Sequence, residues 1–177
     1  MKAKILTEAQ IQQALAAADL QVQAMLLLSC RAGLRACEVA ALDWRMVTDA
    51  EGALADAIDL PAVAVKGKKQ ARRLPMGPDL AAALLALGIA RKGPVLKGPK
   101  GERLTAAAVA KRIKRSYDRA DLDASSHSGR RTVLTRGSLA GLNTLQLQQI
   151  AGHSSPSTTA AYVDAASDPA IAAFLAA

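Results

Sequence analysis

One stretch, LQVQAMLLLSCRA at residues 20 to 32, limits what the rest of the chain can be. Wound as an α-helix it is apolar nearly all round, with Met25, Leu26, Leu27 and Leu28 on successive faces, and Gly33 suits a C-terminal cap. A helix without a polar face belongs inside, so other elements must enclose it. They must do so almost without rings, because the chain has 1 Trp, 2 Tyr and 1 Phe although 51% of its residues are hydrophobic. Ala, Leu, Val and Ile are left to build the core, and abundant alanine favours closely packed helices. At 177 residues the chain suits one domain over 1–177, mainly α-helical.

Local signals fill in this outline. Thr7 and Gln10 form a capping-box pattern ahead of Ile11, Ala14, Leu15 and Ala18 at helical spacing. GLRACEVAALDW at 33 to 44 predicts a short helix with Val39, Ala40 and Leu42 in the core. Between Asp49 and Pro75 the pattern changes to short β runs, AIDL at 57 to 60, AVAV at 62 to 65 and ARRLPM at 71 to 76, so a small antiparallel sheet with a hairpin is expected. Helices follow from Pro78 to about Leu87 and from Thr105, the second with Val109, Ile113 and Tyr117 inward, which makes Tyr117 structural. Further helices are expected from Ser128 to Ala140, with Val133, Leu134 and Leu139 inward, from Leu142 to Ile150, and from Ser155-Pro156 onward through Tyr162. The fold class is therefore α+β, mainly α with a small antiparallel sheet.

Charge bears on partners. A formal net charge of +8 and a pI near 9.9 favour a polyanion, nucleic acid being the commonest, although solubility alone is the plainer reading. Lys66, Lys68, Lys69, Arg72 and Arg73 crowd one polar turn, and Lys111, Arg112, Lys114, Arg115 and Arg119 form a stripe on the helix after Thr105. Each set reads either as a solvated face or as a surface for a phosphate backbone. Cys30 and Cys37 lack zinc spacing and are too few for a disulfide framework, so no metal is expected and they read as small core residues. The N-terminus has no apolar run of signal-peptide type, and AMLLLSC at 24 to 30 is too short to span a bilayer, which favours a soluble intracellular protein.

The residues suited to chemistry lie mostly in the last third. Both histidines, His127 and His153, are there, with Arg130 one helical turn after the first and Tyr162 nine residues after the second. Imidazoles, a guanidinium and a phenol together suit a site that handles a phosphate. Arg35 stands at a helix start, where a cation opposes the helix dipole, as it would if both attracted one anion. Glu38, three residues on, can orient its guanidinium, and an ordinary surface pair between the two is the simpler alternative.

Taken in order, GLRACE at 33 to 38, VKGKKQARRLPM at 65 to 76, HSGR at 127 to 130 and GHSSPSTTAAY at 152 to 162 resemble the motifs of the tyrosine recombinases, or phage integrases, over nearly the whole chain. The resemblance implies that fold's catalytic domain and a site-specific recombinase acting on double-stranded DNA. In that reading Tyr162 attacks a scissile phosphate to form a 3′-phosphotyrosyl link, without metal, ATP or other cofactor. Arg35 and Arg130 hold the nonbridging oxygens, His127 assists proton transfer or binds the phosphate, and His153 donates a hydrogen bond to it. Lys66 protonates the departing 5′-hydroxyl, with Lys68 and Lys69 as alternatives. Glu38 supports Arg35, while Lys68, Lys69, Arg72, Arg73, Lys111, Arg112, Lys114, Arg115 and Arg131 are expected on the DNA. A cytoplasmic, nucleoid-associated protein of a bacterium, phage or mobile element is implied.

The chain departs from the pattern in places. Arg131 stands where a histidine is frequent, and Gly129 where an apolar residue is common. The chain starts where the family's catalytic domain starts, without the helical clamp domain, so a partner or a second subunit is expected to supply it. DPAIAAFLAA at 168 to 177 is expected as a short helix that docks on a neighbouring subunit in a homo-oligomer or packs on its own domain. The alternatives kept are a type IB topoisomerase-like nicking and rejoining enzyme and a noncatalytic DNA-binding integrase remnant.

Overall fold

The apolar helix forms over Leu20–Cys30 (α2) in a computed structural model that describes residues 3–64, 71–152 and 159. Asp19 caps its start by accepting from the Val22 amide at 2.9 Å. At its end Gly33 takes φ +67°, and the Leu34 amide reaches back to the Leu28 carbonyl at 3.0 Å. Residues Ala24 to Cys30 are all buried, as the lack of a polar face requires. The enclosing elements are α1 (Glu8–Ala16), α3 (Ala36–Ala41), α4 (Pro78–Ala86), α5 (Ala106–Arg119) and α6 (Ser128–Leu139), each packed against α2. Trp44 and Tyr117 are the largest side chains of a core otherwise made of aliphatic residues and alanine with Met25 and Cys30. Each fully buried Leu or Ile there contributes roughly 1.5–3 kcal/mol.

The start signals act as expected. Thr7 and Gln10 form a complete capping box on α1, and Thr105 caps α5 through the Ala108 amide. Strands β1 (Ala57–Leu60) and β2 (Arg72–Pro75) pair antiparallel, with Ile58 opposite Leu74 and Leu60 opposite Arg72. The expected strand at 62 to 65 does not form over its described residues. Pro61 has no amide to extend the ladder, and Ala64 N–H closes onto the Pro61 carbonyl at 2.9 Å, giving a 3₁₀ turn over Ala62–Ala64 with Val63 74% exposed.

α6 carries the HSGR segment and is held from several sides. It packs on α2, it meets α7 (Thr144–Ala151), and the N-terminal segment is tied to it. The Leu6 amide donates to Thr132 Oγ1 at 2.8 Å, and Arg131 Nη1 donates to the Ala3 carbonyl at 2.7 Å. Leu134, Leu147 and Ala151 make a small second core between α6 and α7. Leu139, expected inward, is 61% exposed. Five residues beyond buried Leu134, it points about 140° away at 100° per residue. Among the described residues no helix is long and apolar enough to cross a membrane.

Candidate active site

The site is built on the C-terminal end of α7. Asn143 and Gln146 close a capping box at the start of this helix, and Gly152, at φ +57°, ends it. The last carbonyls of a helix have no partner within it and carry its negative dipole end, so they draw cations. Three arginines from three other elements meet them. Arg130, in the first turn of α6, donates from Nη2 to the Ala151 carbonyl at 2.5 Å and from Nη1 to the Gly33 carbonyl at 2.6 Å. Arg35, just ahead of α3, donates from Nη1 to the same Ala151 carbonyl at 3.0 Å. Arg72, in β2, donates from Nη1 to the Ile150 carbonyl at 2.6 Å.

Glu38 lies among them with 0% exposure. Its Oε1 is 3.0 Å from Arg35 Nη1, its Oε2 accepts from the Arg35 backbone N–H at 2.9 Å, and Arg72 Nη2 lies 2.8 Å from Oε2. The Arg72 contact is an ion pair rather than a directed hydrogen bond. An arginine side chain has no acceptor, so Glu38 provides the only half of a capping box that α3 can have. Arg35 is unfavourably placed for the dipole of α3 and favourably for that of α7, and the carboxylate offsets the first. Among the described residues, the three guanidiniums against the single Glu38 carboxylate leave two net positive charges, which suits an anion.

The remaining expected residues are placed as follows. His127 is exposed at the N-cap of α6, with Nδ1 3.5 Å from Ser126 Oγ. Arg130 is 6% exposed. Thr159, in helical conformation, is buried. Lys66, Lys68, Lys69, His153 and Tyr162 lie outside the described residues, as does the 168–177 segment; Gly152 is the immediate neighbour of His153. A cleft of about 410 Å³ opens beside Arg72, lined also by Arg73, Leu145, Gln148, Gln149 and Gly152.

Several cations expected on the DNA are already engaged. Arg72 was expected on the cationic turn but is 8% exposed and tied to Glu38 and α7. Its burial was legible in the alternation of β2, which puts Arg72 on the same inward face as Leu74. Arg73, on the other face, is exposed and pairs with Asp56 and Asp59 at 2.8 and 2.9 Å. Arg131 is committed to the Ala3 carbonyl. On α5, Lys111 and Arg115 are exposed, Lys114 pairs with Asp118, and Arg112 approaches the Lys97 carbonyl at 3.5 Å. Arg112, Arg115 and Arg119 share a hollow of about 380 Å³ with Lys97. Among the described residues no three His, Cys, Asp or Glu side chains gather as metal ligands would.

The other tyrosine is no candidate for chemistry. Tyr117 is fully buried beside Cys30, its Oη 3.7 Å from Sγ, and burial holds its phenol far above the usual range.

The sequence profile of the phage integrase family matches residues 4–168. The chain belongs to the phage integrase family. Solved tyrosine recombinases share its fold. XerA recombinase superposes with a TM-score of 0.73 at 22% identity, over 90% of this chain and 58% of that one. An integrase of transposon Tn1549, solved with transposon right end DNA, gives 0.67 at 22% identity over 92% and 62%. A lambda integrase dimer bound to a core site gives 0.70 at 14% identity over 92% and 48%. The chain thus spans about half to three fifths of the length of these solved relatives. Comparison with curated proteins gave no match. The mainly α fold with a two-stranded antiparallel sheet is that of the catalytic domains of this integrase family.

Proposed function

We propose that this integrase-family chain catalyses DNA strand cleavage and rejoining in site-specific recombination, through a 3′-phosphotyrosyl intermediate. The observation that carries the reading is the meeting of Arg35, Arg130 and Glu38 at the end of α7, directly ahead of His153. Two planar forks held by buried partners are oriented before a phosphate arrives, so little reorganisation remains when charge builds up on its oxygens. Arg35 has donors to spare, since among the described residues its Nε and Nη2 make no hydrogen bond. With Tyr117 sealed in the core, Tyr162 is the chain's remaining phenol.

In this mechanism Tyr162 Oη attacks phosphorus as its proton passes to His127, the bond from phosphorus to the 5′-oxygen breaks, and Lys66 supplies a proton to that leaving oxygen to give the 5′-hydroxyl. His127 and His153 complete the cage of donors around the phosphate. Attack by a 5′-hydroxyl on the phosphotyrosine reverses the step, and the link retains the energy of the broken bond. Double-stranded DNA is the partner, with the exposed cations of α5 and with Lys68 and Lys69 along its backbone. A second copy shares the DNA with the first, and the protein acts in the cytoplasm at the nucleoid.

The test mixes the protein with supercoiled plasmid, quenches with detergent and looks for relaxed topoisomers and protein covalently attached to DNA. Both products are expected from wild type, and both vanish in Tyr162→Phe. DNA binding with neither product, on plasmid or on nicked suicide duplexes, would overturn the proposal in favour of a noncatalytic binder.

A further inference from the structure

We infer that Arg72 is a positioning residue for the reaction, acting through Glu38 and the end of α7 rather than by touching DNA; the inference rests on the recombinase reading above. Its position is unusual for a surface-strand arginine, with a side chain 5% exposed and a partner that is a fully buried carboxylate. Its guanidinium makes two contacts with consequences for the site. Nη1 donates at 2.6 Å to the Ile150 carbonyl, one residue before the carbonyl shared by Arg35 and Arg130. Nη2 sits 2.8 Å from Glu38 Oε2, while Oε1 of the same carboxylate holds Arg35 at 3.0 Å.

The charge balance of Arg35 therefore depends on Arg72. A buried carboxylate with one cationic partner would pull that partner onto itself, and Arg35 would then spend its charge on Glu38 instead of on a phosphate. With Arg72 on the other oxygen, Glu38 is shared, and Arg35 keeps part of its field for the anion. Arg72 also lies flat under the turn that leads to His153. A Cβ on Gly152 would come 2.8 Å from Arg72 Cζ, so the glycine admits the guanidinium as well as the left-handed φ of +57°. β2, α3 and α7 are joined at this one side chain. Nothing else among the described residues links β2 to both Glu38 and α7 through hydrogen bonds or ion pairs.

The experiment compares wild type with Arg72→Lys, Arg72→Ala, Glu38→Gln and the Arg72→Ala/Glu38→Gln double variant. Three quantities are read: the Kd for duplex DNA with its salt dependence, the single-turnover rate of adduct formation on suicide duplexes at saturating DNA, and the NMR signals of the Arg35 Nε–H and the Gly152 amide. Expected is a Kd within about twofold of wild type and an unchanged salt slope, with cleavage slowed on the order of a hundredfold, as for a misplaced catalytic group. The Arg35 and Gly152 signals should shift in both Arg72 variants. Because Lys keeps the charge but not the fork, Arg72→Lys should recover only part of the rate. The double variant should be no slower than the worse single one, since both residues act on Arg35.

A salt slope reduced by about 1 with cleavage retained at saturating DNA would instead make Arg72 a phosphate contact and overturn the inference. Unchanged rates and unchanged Arg35 signals would overturn it too. Should Arg72→Ala fail to fold, Arg72→Lys decides alone. If wild type itself forms no adduct, the recombinase reading fails separately, and the Arg35 and Gly152 signals still show whether Arg72 positions them.

Discussion

At the scale of single residues, the core treats similar groups differently. Cys30 and Cys37 looked alike in the sequence as small apolar residues, but Cys30 is buried on α2 against Tyr117 while Cys37 is partly exposed at the start of α3. Burial pushes the Cys30 thiol up to about 11, so at neutral pH it is neither ionised nor reachable. With a thiol reagent at pH 8, Cys37 should therefore react at once and Cys30 only as the protein unfolds, read by mass spectrometry along a urea series. Rapid labelling of both would show α2 to be loosely enclosed. Arg72 gives the same lesson in a polar residue. Its place in a basic run suggested a solvated turn, and the side on which a strand residue points decided otherwise.

Among elements, the decisive contact is α6 on α2, because it sets where Arg130 meets the end of α7. Gly129 is a point of close approach. A Cβ there would lie 2.7 Å from both Cys30 Sγ and Ser29 Oγ and 3.1 Å from the Cys30 backbone nitrogen. Backbone cannot yield as a side-chain tip can, so Gly129→Ala should push α6 outward. The cost of such overpacking is about 1–3 kcal/mol, measurable by urea unfolding followed through Trp44 fluorescence. Cleavage should fall by more than the lost stability explains, since Arg130 moves with the helix. An Ala variant of wild-type stability and rate would mean that the two helices can part without disturbing the site. The helices were largely legible, and Thr7 and Thr105 are local start signals read from the sequence, whereas the caps at Asp19 and Asn143 were not singled out there. The strand expected at 62 to 65 was not, because alternating Ala and Val do not say whether a partner strand is within reach.

For the whole molecule, a surface ion network ties distant parts of the chain around α2. Arg31 pairs with Glu8 and Asp79, and Arg136 also reaches Glu8, so the starts of α1 and α4 are joined to the end of α2 and to α6. Hydrogen bonds from Arg31 and then from Gln12, with a smaller one from Arg136, bring the Glu8 carboxyl from its ordinary 4.5 down to about 2. A group depressed in the folded state stabilises fully above its unfolded pKa, and that contribution is lost as pH falls through the folded value. Between pH 4.5 and 2, wild type should therefore lose stability more steeply than Glu8→Gln, and the gap between them should close near pH 2. Glu8 is about half exposed, so solvent screening keeps the effect modest. Parallel acid titrations of the two proteins would count against the network.

What the sequence determined by itself was what depends on near neighbours or on the ordering of motifs. A helix apolar on every face had to be central, the caps had to start helices, and four ordered motifs pointed to one family. The tertiary structure alone decided which charges face each other. Glu38, Arg72 and the Ile150 carbonyl are far apart along the chain, and no spacing rule joins a strand, a short helix and a helix end. They meet because the packing of α6 on α2 and of α7 on α6 brings the end of α7 over α3 and β2. Once there, a buried carboxylate and unpaired carbonyls cannot stay without cations, and three arginines satisfy them.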